Sequence, residues 1–184
     1  MQHFVSGIDL NKTPQDYKSI ILGAGCFWGV ERRFWEDPNI YLTSVGYSGG
    51  HIDNPTYKQV CYEDTGHVEV VKVIFDPQLI SLEEILKIFW ECHDPSQGDR
   101  QGNDRGTQYR SVIFCENEKD LNLANQSQKK YQEVLSEAGF GEITTEIKIF
   151  NTYFLAEDYH QQYLAKNPNG YCGLGGTGCA FPNN

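Results

Sequence analysis

The segment 67–75 constrains the fold of this chain more than any other. Its residues alternate as in a β-strand, yet apolar side chains occupy both faces. A strand with two apolar faces is covered on both sides and lies in the interior of a sheet. The sequence therefore predicts a sheet with this strand near its centre. The two faces carry Val68, Val70 and Ile74, and Val71, Val73 and Phe75, respectively.

Strands and helices alternate along the rest of the chain. The first six elements run strand, helix, strand, strand, helix, strand, which matches a split βαβ unit, and a further helix and strand follow. We therefore predict an α/β fold of the α+β class. It is a two-layer sandwich with a ferredoxin-like core, a mixed and mostly antiparallel sheet, and a long glycine-rich C-terminal coil. The other predicted strands are 19–23, 41–47, 108–115 and 143–149, and helices begin near Cys26, Leu82 and Leu121.

The length of 184 residues suits one domain with a substantial core. Neither a repeat nor an interdomain linker interrupts the sequence, so residues 1–184 are predicted to form a single domain. Residues 1–18 are polar and are expected to form an N-terminal extension over the surface. Residues 150–184 lose the regular pattern and are expected to form an irregular tail.

The charge and hydropathy of the chain argue against two classes of partner, nucleic acids and membranes. The 25 acidic and 15 basic residues give a net charge of −10, which would repel a phosphate backbone, so nucleic acid is not expected. No run approaches the roughly 18 apolar residues of a membrane span. Residues 1–7 lack the basic flank and apolar core of a signal peptide. We therefore expect no membrane contact and a cytoplasmic location.

The chain has six cysteines, an even number that could form a disulfide framework. A cytosolic chain of this length does not need such a framework and could not keep it oxidised. The absence of a CxxC pair also weakens a zinc interpretation. The question is which thiols do chemistry and which only pack. The six are Cys26, Cys61, Cys92, Cys115, Cys172 and Cys179.

Cys26 is the first candidate nucleophile. It lies at the turn from a predicted strand to a predicted helix. Free backbone N–H groups and the helix dipole at such a turn lower the pKa of a thiol and make it more reactive. The alternative is a small buried apolar residue, which is a common environment for cysteine. The position at the turn favours the reactive interpretation.

Glu69 interrupts the apolar pattern of the central strand. It shares a face with Val71 and Val73. Burial raises the pKa of a carboxyl group, which makes it a potential proton donor near neutral pH. The alternative is a glutamate at the strand end that remains in water.

Five further residues are candidates for substrate binding. Phe27 and Trp28 could form the wall of an apolar pocket beside Cys26, or could pack in the core. Tyr57 follows a glycine-rich turn and could offer its hydroxyl. Asp104 and Tyr109 flank a long polar loop without aliphatic residues. Loops of that length inside a compact domain are usually functional.

Two other classes of function compete with a redox enzyme. A cysteine hydrolase would need a basic histidine beside Cys26, and His67 or His160 could serve. A non-enzymatic thiol or metal-binding module is the third class, although none of the five histidines forms an HxxxH pair or accompanies two close cysteines. Cys172 and Cys179 favour the redox class, because thiols on a glycine-rich tail suit disulfide exchange.

The residues around Cys26 resemble the signature of the peptide methionine sulfoxide reductase A family. The segment 25–31 reads Gly-Cys-Phe-Trp-Gly-Val-Glu, and the resemblance continues in ordered blocks over about residues 20–182. So many blocks in order are not expected by chance. Further matching blocks are 46–50, 54–57, 64–69, 89–90, 93–95, 101–111, 156–164 and 167–172.

The resemblance implies a role for each candidate near the nucleophile. Cys26 would attack the sulfur of methionine sulfoxide, and Glu69 would protonate the departing oxygen. Tyr57 and Tyr109 would hold that oxygen by hydrogen bonds, and Asp104 would help to fix the substrate. This family is one of two kinds of methionine sulfoxide reductase, each of which reduces one sulfoxide epimer. The resemblance implies the S epimer, either free or in oxidised proteins.

The resemblance also implies how the enzyme is recycled. Phe27 and Trp28 would contact the substrate methyl group on both sides. Cys26 would become a sulfenic acid. Cys172 would convert it to a disulfide, and Cys179 would pass that disulfide to thioredoxin. Thioredoxin could instead attack the first disulfide directly.

The resemblance also implies the domain organisation, the oligomeric state and the cofactor needs of the chain. The whole chain would be one catalytic domain and a monomer. It would need no metal and no bound organic cofactor, only an external reductant such as thioredoxin or dithiothreitol. The three thiols without a family role would pack in the core, namely Cys61, Cys92 and Cys115.

Overall fold

The computed structural model describes residues 1–150 and 152–182, and its largest element is a six-stranded sheet. A separate two-stranded hairpin lies in the polar loop. The predicted strand at 67–75 is present as one of the longest of the sheet. The strands are β1 (Lys18–Ala24), β2 (Ile40–Ser48), β3 (Val68–Phe75), β4 (Arg100–Gln101), β5 (Asp104–Arg105), β6 (Ser111–Cys115), β7 (Glu146–Ile149) and β8 (Tyr153–Leu155).

The sheet has the strand order β7-β6-β1-β3-β2-β8. All neighbouring strands are antiparallel except β6 and β7, which are parallel. The inner order β6-β1-β3-β2 is that of a ferredoxin-like split βαβ core. The predicted α+β class and the mixed, mostly antiparallel sheet are therefore confirmed, and β3 lies between β1 and β2 as its apolar faces require.

The helices cover one face of this sheet. That face carries Val71, Val73 and Phe75 of β3, which belong to the main hydrophobic core. The opposite face has a smaller core that includes Val68 and Val70, with Phe150 and Tyr153 packed against it. The helices are α1 (Phe27–Trp35), α2 (Tyr57–Tyr62), α3 (Leu82–Cys92), α4 (Glu118–Glu137) and α5 (Tyr163–Lys166).

Local capping residues set where the helices begin. The Ser81 hydroxyl accepts from the Glu84 backbone N–H at 3.2 Å, and the Glu84 carboxylate accepts from the Ser81 N–H at 2.8 Å, which forms the capping box that precedes α3. A second capping box, of Thr56 and Gln59, precedes α2. The sequence indicated only the first, because α2, with six residues, is too short to show a periodic apolar stripe.

Two predicted strands are shorter in the structure. The strand expected at 108–115 begins at Ser111, since residues 107–109 form a 3₁₀ turn. The strand expected at 143–149 begins at Glu146, because the N–H groups of Ile143 and Thr144 bond to Gln132 and Pro95 instead of a neighbouring strand.

The tail is also more regular than the sequence indicated. It contains β8 at the edge of the sheet, a 3₁₀ turn at 158–160 and α5, and among the described residues no helix or strand follows Lys166. Three residues of the predicted tail, Asn151, Asn183 and Asn184, lie outside the described residues.

A buried polar network ties the N-terminal segment and the tail to α1. The Glu31 carboxylate accepts from the backbone N–H and side-chain amide of Gln162 at 2.8 and 2.7 Å, and from the Thr43 hydroxyl at 3.0 Å. The same Thr43 oxygen bonds to His3, while the Phe4 N–H donates to Gln162. The network fixes the segment around Gln162 against α1.

We predict that Leu86→Ala lowers the free energy of unfolding by about 2–5 kcal/mol, because it leaves a cavity in the main core where Leu86 is 0% exposed. The matched change Leu79→Ala, at a side chain that is 64% exposed, is expected to change it by no more than about 0.5 kcal/mol. Urea unfolding monitored by circular dichroism measures both values. Equal losses in the two variants would contradict this description of the core.

Candidate active site

Cys26 lies at the N-terminal boundary of α1, directly after a tight turn from β1. Gly25 makes the turn with φ of 97°, a left-handed conformation that glycine adopts readily. A Cβ atom on Gly25 would also lie 2.7 Å from the Gln101 side chain. The predicted turn from strand to helix is therefore present, and the Cys26 thiol is half-buried there.

Glu69 reaches the same turn from the central strand. Its side chain is 1% exposed, and its Oε2 accepts a hydrogen bond from the Phe27 backbone N–H at 3.0 Å. Burial, followed by the charge of Asp104, raises the pKa of Glu69 to about 8, although the Phe27 N–H opposes the shift. The carboxyl group is therefore mainly protonated at neutral pH, as the interrupted apolar pattern predicted.

The environment of Cys26 reverses one prediction. The sequence position indicated a lowered pKa, but burial raises the pKa of the Cys26 thiol, and the charge of Glu69 adds to the shift. The Trp28 backbone N–H favours the thiolate, yet it does not outweigh these two effects. The helix terminus was visible in the sequence, whereas the loss of solvent and the neighbouring carboxyl group depend on the fold.

The predicted polar residues converge on Cys26 and Glu69. Burial raises the pKa of the Tyr57 and Tyr109 hydroxyl groups, and the charge of Glu69 adds to the shift in both. Asp104 is half-buried on β5, where burial also raises its pKa. The structure thus brings the thiol, two carboxyl groups and two phenols from separate elements to one end of α1.

The two predicted aromatic residues have different environments. Phe27 is buried in the main core, where its ring lies 5.9 Å from that of Tyr47. Trp28 is half-buried and stacks on Tyr163 with ring centres 3.8 Å apart. Its indole Nε1 donates to His160 Nδ1 at 3.0 Å. Trp28 therefore presents a fixed aromatic surface beside Cys26, while the ring of Phe27 packs in the core.

Three further residues of the site contact Trp28 or Tyr57. They are His160, Tyr163 and Glu157, and the sequence did not indicate these contacts. Burial lowers the pKa of His160 to about 4, so its ring is neutral, and its Nε2 has no partner among the described residues. Glu157 accepts from the Tyr57 N–H at 2.8 Å. All three lie in the block 156–164, which the family resemblance had already marked.

The tail brings only one of its two cysteines to α1. Cys172 Sγ accepts a hydrogen bond from Arg32 Nη2 at 3.4 Å, and its charge contributes to the raised pKa of Cys26. Cys179 packs against the main core instead, and its carbonyl oxygen accepts from the Tyr131 hydroxyl at 3.1 Å. The structure therefore brings Cys172, but not Cys179, to the helix that follows the nucleophile.

The other three cysteines divide between the core and the site. Cys92 and Cys115 are buried, as expected of packing residues. Cys61 is half-buried and bonds to the Tyr57 side chain, so the expectation that it packs in the core is wrong for this residue. All six cysteines are free thiols.

The histidines expected of a hydrolase are engaged elsewhere. His67 accepts from the Gly50 N–H through Nδ1, and its Nε2 bonds to the Ile52 carbonyl oxygen at 2.7 Å. His160 accepts from Trp28. Neither bonds to Cys26 in the described part of the chain. This geometry does not supply the thiol–imidazole pair on which a cysteine hydrolase depends.

No group of three or more histidine, cysteine, aspartate or glutamate residues among the described residues could hold a metal ion. None of the helices in residues 1–150 and 152–182 is long and apolar enough to cross a membrane.

Comparison with known proteins identifies the family. The family model described as peptide methionine sulfoxide reductase matches residues 18–177. The chain belongs to this family. The mitochondrial peptide methionine sulfoxide reductase of Homo sapiens is 56% identical over 98% of this chain and 77% of its own length. Methionine sulfoxide reduction is therefore the activity of the chain, and the hydrolase alternative is not supported.

Solved structures of the family have the same fold. Methionine sulfoxide reductase A of Corynebacterium diphtheriae superimposes with a TM-score of 0.88 and 42% identity, covering 98% of this chain and 89% of that one. Mxr1 of Saccharomyces cerevisiae in complex with Trx2 gives a TM-score of 0.57 at 25% identity, covering 84% and 91%.

We predict that Glu69→Gln changes how stability depends on pH. The folded pKa of about 8 exceeds the ordinary value of 4.5, so between these values the folded protein keeps a proton that the unfolded chain releases. Wild-type stability should therefore fall relative to the variant as pH rises through this window, by up to about 1.4 kcal/mol per pH unit. Urea unfolding from pH 5 to pH 8 measures the difference.

The exposed Glu63→Gln change is the matched control, and its stability should stay within about 0.5 kcal/mol of wild type across this range. A difference for Glu69→Gln that is equally flat would show that the folded protein does not raise the pKa of Glu69.

Proposed function

We propose that this enzyme reduces the S epimer of methionine sulfoxide, free or in proteins, with Cys26 as nucleophile and Glu69 as proton donor. The observation that carries the proposal is the hydrogen bond from the Phe27 N–H to the buried Glu69 carboxyl group. It holds a protonated acid beside the thiol. A sulfoxide oxygen leaves only when it is protonated, so the reaction needs such an acid near the attacking sulfur.

The first step transfers the sulfoxide oxygen to Cys26. The Cys26 sulfur attacks the sulfoxide sulfur while Glu69 protonates the oxygen, and the thiol proton replaces the one that Glu69 gives. The protonated oxygen then passes to the Cys26 sulfur, so the S–O bond to methionine and the transient S–S bond break as the new S–O bond forms. The products are the thioether of methionine and a Cys26 sulfenic acid, and the thiol sulfur is oxidised as the sulfoxide sulfur is reduced. The two tyrosines, Tyr57 and Tyr109, retain their phenolic protons because their pKa values are raised, and they donate to the oxygen.

The remaining site residues orient the substrate. Trp28, fixed by Tyr163 and His160, would contact the methyl group on the sulfoxide sulfur. Phe27 would complete this apolar wall from the core side. Asp104, which is half-buried beside the thiol, would help to hold the substrate backbone.

The second step converts the sulfenic acid to a disulfide. The Cys172 thiol attacks Cys26, the S–O bond breaks, and the oxygen leaves as water. Thioredoxin is the reductant that regenerates both thiols, which is consistent with the Mxr1 complex with Trx2. We propose that Cys179 passes the disulfide onward, a role for which the tail must leave its contact with Tyr131. Direct attack of thioredoxin on the first disulfide is the alternative.

The proposal extends to the domain organisation, oligomeric state, cofactor needs and location of the enzyme. We propose that residues 1–184 act as one catalytic domain, as a monomer, with no metal or bound organic cofactor. We further propose a cytoplasmic location, because the reductant, thioredoxin, keeps thiols reduced in the cytosol.

Racemic dabsyl-methionine sulfoxide with dithiothreitol tests the reaction. The enzyme is expected to convert the S epimer alone, so half of the substrate should remain, and chiral chromatography identifies which half. Cys26→Ser should abolish the reaction. Glu69→Gln should slow the first turnover about 10²-fold or more, as for loss of a general acid. Glu63→Gln is the control, and an unchanged rate in Glu69→Gln would refute the acid assignment.

The recycling cysteines are tested with thioredoxin, thioredoxin reductase and NADPH. Cys172→Ser should release one equivalent of methionine and then stop, because Cys26 remains a sulfenic acid. Cys179→Ser should release the same first equivalent and recycle more slowly than wild type. Continued turnover by Cys172→Ser would refute its role, and full-speed turnover by Cys179→Ser would show that thioredoxin attacks the first disulfide directly.

A further inference from the structure

We propose that α1 carries a seat for Cys172, formed by Gly29 and Arg32, which positions this sulfur for attack on the oxidised Cys26. The inference rests on the proposed function and assigns Arg32 a part in the recycling step. It follows from the contacts of the Cys172 sulfur with α1, the helix that begins directly after the nucleophile.

The first part of the seat is the space left by Gly29. A Cβ atom at Gly29 would lie 2.9 Å from Cys172 Sγ and 3.1 Å from Leu174 Cβ. Real Cβ atoms do not approach other atoms so closely, so a side chain here would displace the tail. Because Gly29 follows Cys26 by three residues, both lie on the same side of α1, about one turn apart. Because Gly29 has no side chain, the Cys172 sulfur can approach α1 near the Cys26 sulfur.

The second part of the seat is the Arg32 side chain. Its Nη2 donates to Cys172 Sγ at 3.4 Å, and Arg32 follows Gly29 by a further three residues on the same side of the helix. Arg32 forms no ion pair with a carboxylate in the described part of the chain. The half-buried guanidinium group of Arg32 therefore interacts with the Cys172 sulfur instead of a carboxylate.

The charge of Arg32 matters because the thiolate is the nucleophile in disulfide formation. The tail around Cys172 otherwise faces a carboxylate, since the Tyr171 hydroxyl bonds to Asp104 at 3.3 Å. That contact is made by Tyr171, whereas the Cys172 sulfur itself contacts the Arg32 guanidinium group.

The seat also selects Cys172 over a second thiol nearby. Cys92 lines the same cavity of about 270 Å³ as Arg32 and Cys172. Burial raises the pKa of Cys92 to about 12 even though the charge of Arg33 opposes the shift, so Cys92 stays protonated. Only Cys172 has both contact with a cation and a place beside the Cys26 turn.

The step that the seat promotes is balanced. The Cys172 thiolate forms a bond to the Cys26 sulfur, the S–O bond of the sulfenic acid breaks, and the oxygen takes up one proton and leaves as water. Cys172 is oxidised and the sulfenic sulfur is reduced. Arg32 is a positioning residue for this step and takes no part in the attack of Cys26 on the sulfoxide.

The test separates the two steps in a single turnover. Reduced protein is mixed with methionine sulfoxide without reductant, and released methionine and remaining thiols are counted against time. Arg32→Gln should release its first methionine at the wild-type rate but form the disulfide at least tenfold more slowly. Arg32→Lys should recover part of that loss, because an ammonium group keeps the charge without the fixed geometry of the guanidinium group.

Arg33→Gln is the matched control, since Arg33 is exposed and lies on the same turn without bonding to Cys172, and it should behave as wild type. Gly29→Ala should also slow disulfide formation, because it fills the space for the sulfur. Wild-type disulfide formation in Arg32→Gln, with an intact methionine burst, would overturn the seat. Loss of the burst in wild type would instead refute the proposed function.

Discussion

One hydrogen bond joins the central strand of the sheet to the helix that follows the reactive thiol. The Phe27 N–H, in the first turn of α1, donates to the carboxyl group of Glu69 on β3. A helix start has N–H groups without intrahelical partners, and a buried carboxyl group needs a partner, so each group satisfies the other. The rest of the site depends on this bond because it fixes the distance between the acid and Cys26.

Burial gives this pair its chemical state. In water a thiol and a carboxyl group would differ in charge at neutral pH, but here loss of solvent raises both pKa values, and the charge of Glu69 adds to the shift of Cys26. The substrate-free enzyme therefore keeps a neutral thiol beside a neutral acid. This arrangement protects Cys26 from unwanted reaction and leaves Glu69 ready to donate a proton when a sulfoxide arrives.

The sequence predicted those parts of the site that have a local signal. Cys26 stands at a strand-to-helix turn, and Glu69 interrupts an apolar strand, so both were visible without a structure. The direction of the Cys26 pKa was wrong because it depends on a residue 43 positions away and on solvent exclusion. The contacts of Trp28 with His160 and of Arg32 with Cys172 span more than 130 positions, and no periodic pattern reports such pairs.

The proposed chemistry depends most on the neutral state of Cys26 in the free enzyme. Iodoacetamide alkylation of Cys26 between pH 6 and pH 10, followed by mass spectrometry of the tryptic peptide 19–32, measures it directly, since that peptide contains no other cysteine. We expect slow alkylation at pH 7 and a rate that still rises with pH at pH 10, because burial raises the pKa of the Cys26 thiol. A rate that reaches its plateau below pH 8 would show a thiolate at rest and would contradict it.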